Sequence, residues 1–131
     1  PHLRVCPYAM TRQARYRTKI RQHARVGCRC YGCGGIPTDS DHLFIIRGMG
    51  GHDEPELQED WNIAHLCNAC NVARREETAV RAALDKLWRY GPEYIEAKVA
   101  ALPRQVRPAL PKHYYKALAL YEQGKKPWRD F

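Results

Sequence analysis

The amino-acid sequence predicts one α+β domain, held together by a zinc site and flanked by helices at both ends. Its 131 residues suffice for one core but not for a doubly wound nucleotide-binding fold or a (β/α)8 barrel. Two Cys-x-x-Cys pairs enclose a central stretch that lacks helical periodicity, and helical patterns of apolar residues follow it. We therefore divide the chain into a basic arm at 1–29, a core at 30–90 and a helical extension at 91–131.

The arm, residues 1–29, carries the whole net charge of the chain. The chain has 22 basic and 14 acidic residues, a net charge of +8, yet its first acidic residue is Asp39. The cations before it are Arg4, Arg12, Arg15, Arg17, Lys19, Arg21, Arg25 and Arg29. Residues 11–26 contain neither Pro nor Gly and are followed by Gly27, which predicts a helix. This uncompensated charge indicates a polyanionic partner, nucleic acid before an anionic membrane, although a solvated amphipathic helix is the plainer alternative.

Six cysteines would suit a disulfide framework in a secreted protein, but nothing in the sequence indicates secretion. The pairs Cys30/Cys33 and Cys67/Cys70 instead fit two knuckles whose four thiolates bind one structural Zn2+. Cys28 competes with Cys30 for the first position, and Cys30 is preferred because Cys-x-x-Cys is the usual knuckle spacing. A redox function is less expected, since neither pair is predicted at the end of a βα unit.

Two short strands are predicted inside the cysteine clip, the segment from Cys30 to Cys70. An apolar run indicates one strand at 40–47, and a second is expected at 61–66. Residues 48–60, between them, are rich in Gly and acidic side chains and predict a solvated loop without a metal.

Helical periodicity begins after the clip. A helix is predicted at 72–90, ended by Gly91, with an apolar stripe formed by Val80, Ala83, Leu84, Leu87 and Trp88. Two further helices are predicted at 93–102 and 112–123, and the prolines of 103–111 indicate an extended link between them.

Motifs within the clip occur in a recognisable order: Asp41-His42, then Gly50-Gly51, then Asn62-Ile63, and Asn71 directly after the second cysteine pair. Inside a four-cysteine clip, this order resembles the HNH endonucleases, a branch of the ββα-metal (His-Me finger) superfamily, over about residues 28–80. The last motif position holds asparagine in place of histidine, as in the HNN variant. The stretch around the second cysteine pair is also similar to phage endonuclease VII, a junction-resolving member of the same superfamily.

The resemblance implies a ββα-metal core that hydrolyses phosphodiester bonds of DNA. His42 would be the general base, Asp41 and Asn71 would hold one Mg2+ or Mn2+, and Asn62 would fix the adjoining loop or the orientation of His42. Arg47 would either clamp the scissile phosphate or pair with the acidic loop. The plainer interpretation of Asn71 is a helix N-cap.

Asp41 and His42 are adjacent, and adjacent residues of a regular strand point to opposite faces of the sheet. The resemblance implies that a strand end or a bulge brings both side chains into one site. His65 is expected to be structural or to contact phosphate, and no functional role is expected for His113.

DNA is the expected partner, bound through its backbone phosphates with weak sequence preference and strong salt dependence. The expected contact residues are Arg12, Arg15, Arg17, Lys19, Arg21 and Arg25. Two alternatives stay open: a junction-resolving nuclease that dimerises through residues 93–123, and a non-catalytic zinc module that binds DNA. Family analogy adds phage packaging proteins as partners and the cytoplasm of a bacterial host as location, with no membrane association. Monomer and homodimer both remain open.

Overall fold

The structure, a computed structural model, describes residues 28–45, 55–102 and 110–130. The helix predicted at 11–26, the Gly50-Gly51 motif and most of the link at 103–111 lie outside the described residues. The same holds for the expected phosphate contacts Arg12, Arg15, Arg17, Lys19, Arg21, Arg25 and Arg47.

The described part of the chain is mixed α+β, as predicted. Two strands form an antiparallel sheet, β1 (Asp39–His42) and β2 (Ile63–Leu66). The helices are α1 (Asn68–Ala73), α2 (Glu76–Tyr90), α3 (Pro92–Ala100) and α4 (Lys112–Glu122). Short 3-10 turns at Pro55–Gln58 and Asp60–Asn62 lead into β2. Among the described helices, none is long and apolar enough to cross a bilayer.

The register of the sheet decides which side chains share a face. Asp39 lies opposite Leu66 and Asp41 lies opposite Ala64. Side chains two residues apart on a strand point to the same side of the sheet. Asp39 and Asp41 therefore share one face of the sheet. His42, opposite Ile63, is the last residue of β1, where the strand pairing ends.

The first strand is shorter than predicted. The apolar residues Leu43, Phe44 and Ile45 do not continue β1 but bend away from it into the core, where at most 4% of each is exposed. Their backbone groups are bonded to Asn62 instead of a neighbouring strand: Leu43 N–H donates to its carbonyl, and Phe44 and Ile45 N–H donate to its side-chain oxygen. A long-range contact thus overrides the local strand pattern.

The helix predicted at 72–90 is two helices. The break lies at Arg74, which adopts a left-handed conformation (φ 51°, ψ 46°) and closes α1 by donating its N–H to the carbonyl of Cys70 at 3.2 Å. Helix α2 then starts at Glu76 and ends at Gly91, whose φ of 88° suits glycine, as predicted.

The core lies between the sheet, the bend after β1 and the three longer helices. Helix α2 buries the predicted stripe except for Trp88, which is half-buried. Helix α3 contributes Ile95 and Val99, and α4 contributes Tyr114 and Ala117. The T-shaped contact between Phe44 and Tyr114, 5.6 Å between ring centroids, joins α4 to the bend after β1.

Asp60, predicted to lie in a solvated loop, is buried, and that prediction is wrong. Its carboxylate forms ion pairs with Lys86 (3.1 Å) and Arg89 (3.4 Å) and accepts a hydrogen bond from Tyr90 (2.6 Å). Burial alone would raise the pKa of Asp60, but Lys86 and the neighbouring donors hold that pKa well below its usual range. His65 Nε2 lies 3.6 Å from the same carboxylate.

Candidate metal centre and adjoining cleft

Four cysteines converge as predicted. The sulfur atoms of Cys30, Cys33, Cys67 and Cys70 all lie within 4.8 Å of one another. Tetrahedral Zn2+ with Zn–S distances of about 2.3 Å requires sulfurs about 3.8 Å apart, and the Cys33 and Cys67 sulfurs are 3.8 Å apart. The donor set and its size therefore suit a closed, structural zinc site. Cys28 does not belong to this cluster.

The first knuckle is a tight turn around Cys30. Gly34 N–H donates to the Cys30 carbonyl at 2.8 Å, and Cys30 N–H donates to the Gly35 carbonyl at 2.8 Å. Gly34 has a φ of 78°. Gly32 is required for a different reason, since a Cβ at this position would collide with the sulfur of Cys70. The two knuckles thus approach each other too closely for any side chain at residue 32.

The second knuckle joins β2 to α1. Cys67 is the N-cap of α1, and its sulfur accepts a hydrogen bond from Cys70 N–H at 3.4 Å. This pair lies at a strand-to-helix junction, so the prediction that neither cysteine pair ends a βα unit is wrong. The convergence of two further thiols on the same point is what favours a metal.

The cluster contains thiols of opposite acidity. Burial acts to raise the pKa of Cys30, but backbone hydrogen bonds from Cys67, Cys33 and Gly32 outweigh it and lower the pKa to about 7. Burial and hydrogen bonds with the neighbouring cysteines raise the pKa of Cys70 to about 12. A divalent cation is the group that would allow all four to exist as thiolates.

A cleft of about 320 Å³ adjoins the cluster and brings together three of the predicted site residues. Asp41, His42 and Asn71 line it, and Cys70 of the metal cluster forms part of the same wall. Its other lining residues are Leu43, Ala64, Leu66, Arg74, Arg75, Glu76, Thr78, Ala79 and His113.

The end of β1 explains how adjacent residues reach one cleft. Asp41 lies on the sheet face that carries Ala64, and His42, as the final strand residue, also lines the cleft. Asp41 Oδ1 accepts a hydrogen bond from the backbone N–H of His42 at 2.9 Å, and His42 Nε2 lies 3.0 Å from Gln58 Oε1. A hydrogen bond from Nε2 to this amide oxygen would leave the basic lone pair of the neutral ring on Nδ1.

Asn71 is the fourth residue of α1, so the alternative that it is an N-cap is wrong; Cys67 holds that position. The Asn71 side-chain nitrogen donates to Asp39 Oδ2 at 3.3 Å, and Asn68 donates to the same oxygen at 3.0 Å. With its nitrogen held in this way, Asn71 keeps its side-chain oxygen as the atom suited to a hard metal ion. Asp39 is not among the residues predicted for the site, although its spacing of two from Asp41 places both on one strand face.

Asn62 is fully buried and makes four side-chain hydrogen bonds within the protein. Its oxygen accepts from Phe44 and Ile45, and its nitrogen donates to the carbonyls of Ile45 and Leu57, all between 2.8 and 3.1 Å. It therefore fastens the segment after β1 to the segment before β2. Asn62 does not line the cleft.

Three cationic or imidazole side chains of the cleft were missed. His113 of α4 donates from Nε2 to the Leu43 carbonyl at 2.6 Å and stacks on Phe44 at 6.2 Å, and burial lowers its pKa. No sequence signal identifies it, because it lies far from the clip. Arg74 and Arg75 follow Asn71 closely, and that proximity was a signal. His65 is 1% exposed and does not line the cleft, which excludes the phosphate-contact alternative.

No protein-family model, curated protein or solved structure matches the chain. Function is therefore inferred from the residues of the cleft and the cysteine cluster. Strand β1 supplies Asp41 and His42, and helix α1 supplies Asn71. All three line one cleft beside the candidate zinc site.

Proposed function

We propose that the chain is a metal-dependent DNA endonuclease of the HNN type with a ββα-metal core. One observation carries the proposal: the cleft combines a carboxylate (Asp41), an imidazole (His42) and an amide (Asn71) within a strand–strand–helix unit. This is the set that hydrolysis of a phosphodiester needs, with two hard oxygen ligands for one Mg2+ or Mn2+ and an imidazole as the base.

His42 activates the attacking water in this proposal. Its Nδ1 accepts a proton from the water as the oxygen attacks phosphorus, while Gln58 holds Nε2 and so fixes the tautomer. The bond from phosphorus to the 3′ oxygen breaks, and the departing alkoxide takes a proton from solvent, which gives 5′-phosphate and 3′-hydroxyl ends. A divalent ion held by Asp41 and Asn71 would supply charge stabilisation at the phosphoryl and departing oxygens.

The cysteine cluster has a structural role in the proposal. Cys70 immediately precedes Asn71, and Cys67 caps the same helix, so the second knuckle fixes where α1 begins. The first knuckle is bonded to β2, since Tyr31 N–H donates to the His65 carbonyl at 3.1 Å. Bound zinc would thereby hold α1 against the sheet, and with it Asn71 against Asp41.

DNA binding in the proposal comes chiefly from phosphate contacts by the basic arm. Such contacts position a duplex without reading its bases, so we expect cleavage with low sequence specificity. The non-catalytic zinc module is the competing function. It would bind DNA through the same charges but would leave His42 without a role.

Nicking of supercoiled plasmid separates the two functions. The zinc-loaded protein, His42→Ala and the control Lys125→Ala are compared in Mg2+ and in Mn2+, with zinc content and thermal unfolding recorded for each. We expect nicking by the parent and the control and a loss of at least about 100-fold in His42→Ala. Equal nicking by parent and His42→Ala contradicts the assignment, and an inactive parent that binds DNA supports the zinc module.

Junction selectivity is tested with the same protein. A four-way junction and a linear duplex of equal length are offered at one protein concentration. Cleavage of both at similar rates is expected for a general nuclease, whereas cleavage of the junction alone supports the junction-resolving alternative.

A further inference from the structure

We propose that Arg74 and Arg75 form a phosphate-binding wall of the cleft, separate from the basic arm, that holds the DNA backbone beside the reacting group. This inference rests on the proposed function and adds residues outside the motif that suggested it. Both arginines line the cleft together with Asp41, His42 and Asn71.

The turn between α1 and α2 places the two arginines beside the proposed metal ligand. Asn71 lies within α1, the left-handed Arg74 closes that helix, and the extended Arg75 is the N-cap of α2. All three residues line the cleft. A phosphodiester that occupies the cleft beside Asp41 and Asn71 would therefore also meet the arginine pair.

The backbone at this point is strained. Arg74 is the one non-glycine residue with positive φ in the part of the chain that the structure describes. A glycine would adopt the left-handed conformation without steric cost, whereas the sequence has an arginine there. Strain of this kind is concentrated at functional sites, where the position of a side chain matters more than local stability.

The charges on this wall are not neutralised within the described protein. Neither Arg74 nor Arg75 forms an ion pair with an acidic residue of the described ranges, and both are exposed. Glu76, the next residue, has its carboxylate bound by Lys116 at 2.7 Å. The wall is therefore a pair of available guanidinium groups, which bind phosphate oxygens with two parallel N–H donors.

The remaining cleft residues fit an anionic ligand of this kind. Asp41 is the carboxylate that a divalent cation would neutralise in the proposed site. Burial lowers the pKa of His113, which also lines the cleft, so the positive charge of the described lining comes from the two arginines. A phosphodiester, with one negative charge and two free oxygens, matches two guanidinium groups and one metal ion.

The test compares Arg74→Gly/Arg75→Gln with the control Arg129→Gln, which removes an exposed cation that does not line the cleft. Glycine suits the left-handed position, so the double variant is expected to fold. If it does not fold, Arg74→Lys/Arg75→Lys replaces it, because lysine retains the charge but lacks the two parallel donors of a guanidinium group. Binding of a fluorescein-labelled DNA duplex is measured over a series of salt concentrations, with zinc-loaded protein and no added Mg2+ or Mn2+. Plasmid nicking in Mn2+ is measured in parallel.

For the double variant, we expect the dependence of log affinity on log salt to become shallower by about 2, because two phosphate contacts are lost. We expect kcat/KM for nicking to fall by about 10- to 100-fold, with the control near the parent. A parent that nicks DNA and a double variant that matches it in slope and kcat/KM overturn the phosphate wall while the nuclease stands. A parent that never nicks, with the slope still reduced in the double variant, supports the phosphate wall and rejects the nuclease.

Discussion

The side-chain amide of Asn71 donates to the carboxylate of Asp39 at 3.3 Å and ties helix α1 to strand β1. Neither residue is near the other in the sequence, and Asp39 does not line the cleft. The contact orients a proposed metal ligand, as groups that hydrogen-bond to the ligands of metal sites do. Asp39 is thus a positioning residue for Asn71.

Replacement of Asp39 by alanine is expected to lower the affinity for the divalent ion more than it lowers the stability of the fold. Loss of such an orienting group typically costs about 10- to 100-fold in metal affinity or activity. The Mn2+ concentration that gives half-maximal nicking measures this. Asn68→Ala is the matched control, because Asn68 donates to the same carboxylate but does not line the cleft. An equal change in both variants would show that the contact only stabilises the helix.

Gly32→Ala is expected to disrupt zinc binding, because the added methyl group collides with the Cys70 sulfur. Competition with a chromophoric chelator should show weaker zinc binding, together with a lower melting temperature. Gly124→Ala is the comparison: its φ of 76° makes alanine strained, but no atom lies within 4 Å of the new Cβ. It should lower the melting temperature and leave zinc affinity at the parental value. Parental zinc affinity in Gly32→Ala would contradict the close approach of the knuckles.

The buried ion pair between Lys86 and Asp60 is expected to contribute strongly to the free energy of unfolding. Lys86→Met leaves Asp60 buried without its nearest cation, and breaking a buried pair in this way costs about 3–5 kcal/mol in the free energy of unfolding. Denaturant unfolding of the zinc-loaded protein measures it. Lys116→Met, which breaks the exposed pair with Glu76, should leave the free energy of unfolding nearly unchanged. Similar losses in the two variants would reject the assignment of a buried pair.

His113 is expected to support catalysis through the backbone next to His42. His113→Phe preserves the ring that stacks on Phe44 but loses the donor to the Leu43 carbonyl, whereas His113→Gln keeps an N–H donor. We expect about a tenfold loss of kcat in His113→Phe at nearly unchanged KM, with partial recovery in His113→Gln. If the two variants have equal kcat, the hydrogen bond has no positioning role.

The sequence was sufficient where chemistry and short-range geometry decide the structure. Cysteine spacing predicted the four-thiol cluster, because two knuckles of this spacing can close on one ion. The end of α2 at Gly91 followed from the conformational freedom of glycine. The grouping of Asp41, His42 and Asn71 in one cleft agrees with the order of the motifs, whereas the roles assigned to them remain predictions.

Long-range contacts determine the features of the structure that could not be predicted from the sequence. The apolar run after His42 would suit a strand, but Asn62 takes up its backbone groups and turns it into the core. The break between α1 and α2 is carried by Arg74, a residue type that gives no warning of a left-handed turn. Asp60 is buried because cations of α2 reach it. His113 reaches the cleft only through the packing of α4, which no local pattern encodes.

The central claim is that the cleft holds a divalent ion between Asp41 and Asn71. A crystal of the zinc-loaded protein soaked in Mn2+, with diffraction data collected at the manganese edge, tests it most directly. We expect an anomalous manganese peak in the cleft, with one oxygen of Asp41 and the side-chain oxygen of Asn71 at about 2.2 Å, and zinc confined to the four cysteines. A cleft without manganese, or manganese bound elsewhere while Asp41 and Asn71 remain apart, would contradict it.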